Sequence, residues 1–167
     1  MSTEMTIELS VNGITYSRQV PVRKLLSDVL REDLGMTGVH VGCEHGICGS
    51  CTVLVDGMPV RSCLTFAATL ERSSIVTVEG LAADTGAEQM HPVQEAFDDQ
   101  DAFQCGFCTP GFVLLIESGL LTHQAEEESV ETRLAANICR CTGYTFIKQA
   151  MQQVSPCGSC DAGCGGR

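Results

Sequence analysis

Cys43, Cys48, Cys51 and Cys63 form one group of thiols, separated by four, two and eleven residues, and Cys105, Cys108, Cys139 and Cys141 form a second. The second group is a CxxC pair, a gap of thirty residues and a CxC pair. Thiolates are soft donors for zinc and iron, and four of them complete either a structural zinc site or a two-iron centre. A disulfide framework is the other use of many cysteines. The total of eleven is odd, however, and such tight pairs suit ligands better than long-range bridges. In a reducing compartment this spacing favours metal.

Each group has more than one chemical reading. The first three cysteines match the C-x4-C-x2-C run of plant-type [2Fe–2S] ferredoxins. Gly42, Gly46 and Gly49 lie among them, so the loop can wrap closely and aim backbone N–H groups at sulfur. A zinc knuckle is the alternative, but structural zinc sites usually use short CxxC-type pairs. His45 follows Cys43 as in half of a Rieske site, yet no second histidine takes the place of Cys48 or Cys51. It is therefore expected to face solvent. His40, His91 and His123 are scattered and make no metal constellation. Cys105-Gly106-Phe107-Cys108 could be a thioredoxin-type pair, but the segment before it reads as helix, and Cys139 and Cys141 would go unused. Two four-thiolate sets on one short chain point to electron transfer.

The elements that must hold these loops change character near residue 80. Ile7, Leu9 and Val11 alternate with polar residues, Asn12-Gly13 signals a tight turn, and Ile14, Tyr16 and Val20 continue a return strand ended by Pro21. Leu25, Leu26, Val29 and Leu30 predict a short amphipathic helix over Lys24 to Asp33. Thr52 to Val55 and Ile75 to Val78 read as strands, with an Asp56-Gly57 turn after the first. Beyond a linker at Gly80 to Met90, helices are expected over Pro92 to Ala102, Gly111 to Leu121, Glu126 to Asn137 and Tyr144 to Val154. His91 and Pro110 stand at helix starts, and the acids Glu126 to Glu128 suit a first turn. The expected fold class is α+β, with a ferredoxin-like unit at 1–80, a helical unit at 81–154 and a tail at 155–167. In the tail, Cys157, Cys160 and Cys164 are expected to be free thiols on a mobile segment rather than a third metal site.

The formal charge of −11, with only ten Lys and Arg, excludes a phosphate-binding stripe for nucleic acid. Two oxidised all-cysteine clusters, each about −2, would take the chain to roughly −15. Such acidity fits docking on a basic patch of a larger protein. The longest apolar run, Phe112 to Ile116, is too short for a membrane span, and the N-terminus lacks a secretory pattern. A cytoplasmic protein is expected.

Four segments together resemble the small iron–sulfur subunit of the xanthine oxidase family of molybdenum hydroxylases. They are GCEHGICGSCTVLVDG (42–57), RSCL (61–64), QCGFCTPG (104–111) and NICRCTGY (137–144). The resemblance runs from about Thr6 to Val154. It implies a β-grasp ferredoxin domain followed by a four-helix bundle domain, with two [2Fe–2S] clusters on the eight cysteines. It further implies a large molybdenum–pterin subunit and a medium FAD subunit, in a heterotrimer or a dimer of heterotrimers. Electrons would leave the pterin centre through the helical-domain cluster, then the ferredoxin-like cluster, to FAD. By the same resemblance Gln104 and Cys141 approach the pterin. Arg140 either raises a cluster potential or faces solvent. The tail departs from the family pattern, and the substrate stays open. The rivals are a free-standing two-cluster ferredoxin and a zinc-stabilised interaction module.

Overall fold

A computed structural model describes residues 3–82, 89–121, 132 and 134–154. Strand β1 (Glu4–Val11) buries Ile7, Leu9 and Val11 on one face, as its alternation requires. Asn12 and Gly13 both take positive φ, which a two-residue primed turn demands, and β2 (Ile14–Pro21) returns antiparallel. β3 (Thr52–Val55) and β4 (Met58–Arg61) make a second hairpin through Asp56-Gly57. β5 (Ser74–Val76) lies between the hairpins, parallel to β1 and antiparallel to β3, giving the order β2-β1-β5-β3-β4. This mixed sheet, with β5 inserted between two hairpins, has the strand order of the β-grasp arrangement expected for this half.

Two sequence expectations in this half need correction, and one strand, β4, was not expected. The first helix does not start at Lys24. Leu25 is extended and bridged to Phe66, and the Leu26 N–H donates to Thr65 O at 2.7 Å, so helix α1 (Leu26–Asp28) begins later. It runs on as a widened turn over Val29–Asp33, in which Leu34 N–H reaches back five residues to Val29 O at 3.1 Å. β4 has no distinct sequence signal because Pro59 interrupts it, a residue tolerated here because β4 is the sheet edge. β5 stops at Val76 rather than Val78. Thr77 N–H donates to Asn12 Oδ1 at 2.9 Å, Asn12 Nδ2 donates to Thr77 Oγ1 at 2.9 Å, and the short helix α2 (Val78–Leu81) follows.

Asn12 thus tolerates the left-handed turn and anchors the far end of β5. Asn12→Ala removes both hydrogen bonds and adds positive-φ strain, so it should cost about 2 kcal/mol. Urea unfolding of the metal-free chain checks this, and a loss below about 0.5 kcal/mol, the scale of an ordinary surface change, would contradict it.

In the helical half, α3 (Pro92–Asp99) starts at a capping box: His91 Nδ1 accepts from Val93 N–H and Gln94 Oε1 from His91 N–H. It ends three residues before the expected Ala102, because Asp101 takes a left-handed φ of 48°. α4 (Thr109–Leu121) starts two residues before Gly111, with Pro110 in its first turn. α5 (Thr145–Val154) starts after Tyr144, whose φ of 67° no helix accepts. The helix expected over Glu126 to Asn137 lies mostly outside the described residues, as do His123, most of the linker and the whole 155–167 tail.

The halves share one sheet. Val53 and Val55 of β3 face the first core with Ile7, Leu9, Leu26 and Leu30, while Leu54 joins the helical core of Val93, Phe97, Phe112, Ile147 and Met151. A strand covered on both faces reads as an unbroken apolar run, as TVLV does. Packing α4 across β3 brings the loop before β3 against the loops at the helix ends. Among the described residues no helix is long and apolar enough to cross a membrane.

Candidate metal centres

The first thiol group sits in the 42–51 loop and just past β4. Gly46 and Gly49 take φ of 74° and 77°, which closes the loop tightly. Cys43 Sγ accepts the backbone N–H of His45 at 3.3 Å and of Cys48 at 3.4 Å. The Cys48 N–H, then that of His45, lower the Cys43 thiol to about 6, so these donors are set for a thiolate before any metal arrives. Cys63 stands on a single 3-10 turn, Ser62–Leu64, after the hairpin. Burial, then the adjoining Cys51 thiol, push it up to about 11. Cys51 and Cys63 are buried, whereas Cys43 and Cys48 are partly open.

The second group forms where α4 starts and the segment before α5 turns. Cys108 O accepts the Phe112 N–H at 3.2 Å, so Cys108 lies at the positive end of α4. Its thiol is pushed up to about 12 by burial and then by Cys139. Burial works against ionising Cys139, but the Thr142 hydroxyl 3.2 Å away and backbone N–H groups outweigh it, so this thiol is lowered. Tyr144 Oη accepts the Cys139 N–H at 3.1 Å and donates to Asn137 O at 3.3 Å, pinning the turn. Cys141 and Cys105 are exposed with their sulfurs 3.6 Å apart, and this contact raises the Cys141 thiol.

Each group gathers as four: Cys43 adjoins Cys48, Cys51 adjoins Cys63, Cys105 adjoins Cys141 and Cys108 adjoins Cys139, and Cys63 also feels Cys43, Cys108 feels Cys105 and Cys141 feels Cys139. Paired thiols suit two irons held by two ligands each. The cross-gap pairs also answer the thioredoxin alternative, because each sulfur of the CxxC segment has its neighbour in the CxC segment. The donor set, the waiting N–H groups and the buried inner sulfurs fit [2Fe–2S] centres.

The two groups are docked against each other. Ile138 N–H donates to Cys48 O at 2.9 Å, joining a thiol-bearing residue of one loop to the neighbour of Cys139 in the other. His40 Nδ1 lies 2.7 Å from Phe107 O, and the His40 and Phe107 rings stack at 4.8 Å. Asn137 is buried against Gly49 and Gly111, where neither glycine leaves room for a Cβ.

Of the remaining sequence candidates, His45 is exposed and offers the site only its backbone N–H. Gln104 and Arg140 are exposed beside Cys105 and Cys141. His91 caps α3 and faces Glu117 at 3.7 Å. Cys157, Cys160 and Cys164 lie outside the described residues. Sequence reasoning assigned no role to Thr142, Tyr144, Phe107 or Arg61. Only their closeness to cysteines marks them.

Residues 9–78 match the family described as 2Fe-2S iron-sulfur cluster binding domain, and residues 77–152 match the [2Fe-2S] binding domain family. The chain is similar to caffeine dehydrogenase subunit gamma from a Pseudomonas species, at 45% identity over 90% of each chain. It is also similar to the iron–sulfur-binding subunit of aldehyde oxidoreductase from Escherichia coli, at 36% identity over 90% of this chain and 72% of the relative. Among solved structures, quinoline 2-oxidoreductase from Pseudomonas putida matches with a TM-score of 0.82 and 44% identity, covering 90% of this chain and 91% of the other.

Proposed function

The chain belongs to the iron–sulfur small subunits of the xanthine oxidase family of molybdenum hydroxylases, and from that membership we propose how its own residues serve electron transfer. It is a non-catalytic subunit of an oxidoreductase. Cys43, Cys48, Cys51 and Cys63 hold one [2Fe–2S] cluster, and Cys105, Cys108, Cys139 and Cys141 hold the other. When bound, these clusters supply one-electron uptake and release between a molybdenum–pterin centre and FAD or another acceptor.

The pairing of thiols within each group carries this reading, because it matches two irons with two ligands apiece. The buried sulfurs, Cys51, Cys63 and Cys139, keep water from the inner side of each site. The exposed pair, Cys105 and Cys141, faces outward beside Gln104, and that face meets the pterin on the large subunit. Gln104 contributes an amide that can both donate and accept. A medium FAD subunit completes a heterotrimer, or a dimer of heterotrimers, in the cytoplasm. The two units at 1–80 and 81–154 are the ferredoxin-like and four-helix domains, with the segment from Glu126 to Asn137 as the remaining helix. The relatives carry caffeine, aldehyde and quinoline in their names, so the substrate is chosen on another subunit.

Affinity purification of the tagged chain from its native host tests the assignment. The expected eluate is red-brown and contains a large subunit with molybdenum. A coloured chain that purifies alone would make it a free carrier, and a colourless one that binds zinc would make it an interaction module.

A further inference from the structure

Arg61 ends β4 with a half-buried side chain that reaches both cysteine loops. Its Nε donates to Gly46 O at 3.4 Å, inside the Cys43 to Cys51 loop. One terminal nitrogen donates to Ala136 O, three residues before Cys139. The other donates to Thr52 Oγ1, whose hydroxyl in turn donates a hydrogen bond to Gly49 O at 2.6 Å. All of these acceptors are neutral. Among the described residues the ion pairs are Lys24 with Glu32 and Asp33, and His91 with Glu117, so no carboxylate answers this guanidinium.

A positive charge that is part-buried at Gly46 and Thr52 and open to water at Ala136 costs less when an anion also lies near it. Neutral carbonyls satisfy the N–H groups but not the charge. The seam lies between the two thiol sets, which become anionic on ligation: Gly46 belongs to the loop of one, Thr52 directly follows that loop, and Ala136 lies on the approach to the other. We propose that Arg61 is the counter-charge shared by both metal centres. It raises the reduction potential of each and holds the two loops together. This rests on the two-cluster reading. In the step it assists, a centre gains one electron from a donor, which loses it; no bond breaks and no proton moves. The extra negative charge is what a nearby cation favours.

The test is a redox titration with dithionite as reductant, followed by EPR, on the complete iron-loaded chain. Arg61→Gln and the neutral isostere Arg61→citrulline should lower both midpoint potentials with iron retained, while Arg61→Lys should stay near wild type. If only the neutral variants lose iron, the charge role is supported. Unmoved potentials in an iron-replete neutral variant would overturn the proposal. So would a Lys variant whose potentials fall as far as those of Gln, or iron loss in all three variants, since Arg61 would then be only a staple. Failure of the wild-type chain to show two cluster signals would instead remove the two-cluster reading on which it rests.

Discussion

Cys139→Ser is expected to remove one centre and stop electron flow through the chain. Cys139 is buried against Cys108, with the Thr142 hydroxyl and Tyr144 holding its turn. A serine oxygen is a hard and poorly ionised donor that replaces a thiolate poorly in an iron–sulfur cluster. Iron content should fall from about four to about two per chain, and one EPR signal should survive. Turnover with the natural acceptor should drop by more than about 100-fold, beyond what losing an outer-sphere partner costs. Affinity for a competitive inhibitor at the molybdenum site should hold. Cys48→Ser gives the complementary outcome: the helical-half centre is still reduced, but the acceptor is not. Turnover unchanged in the Cys139 variant would remove the role assigned to this centre.

Gly49→Ala is expected to be the most damaging change that touches no ligand. At φ 77° an alanine costs about 1–2 kcal/mol on conformation alone. Its Cβ would also run into Asn137 Oδ1 and Cγ, and would lie 3.0 Å from Asn137 Cα. Asn137 is 1% exposed and cannot swing away, so overpacking adds about 1–3 kcal/mol. The total should be about 3 kcal/mol, and the displacement should open the Ile138 to Cys48 hydrogen bond. Gly143→Ala is the control: it has φ 61° but open space, so it should cost only the conformational part. Urea unfolding of the metal-free chains compares them, and equal losses would show that the Asn137 contact does not matter.

Much of the cysteine chemistry was legible because metal ligation imposes spacing on the chain itself. Two loops with fixed intervals and interleaved glycines needed no tertiary information. β1, its Asn12-Gly13 turn and β2 were equally readable, since alternation and turn chemistry are local. What escaped was decided by distant partners. Leu25 is extended because Phe66 bridges it, and Thr77 leaves the sheet because Asn12, 65 residues away, takes its N–H. Tyr144 is a local exception: its left-handed turn has its N–H held by Thr142 Oγ1, two residues back, at 3.1 Å. Arg61 drew no attention because a cation near thiols means little until two loops are seen to share it. The tight fit of Gly49 and Gly111 around Asn137 likewise has no signature within any one segment.

Full reduction of the purified holoprotein with dithionite, with EPR and iron analysis on one sample, tests the central claim most directly. The account predicts two distinct paramagnetic centres and about four irons per chain. A single signal, or about two irons per chain, would contradict it.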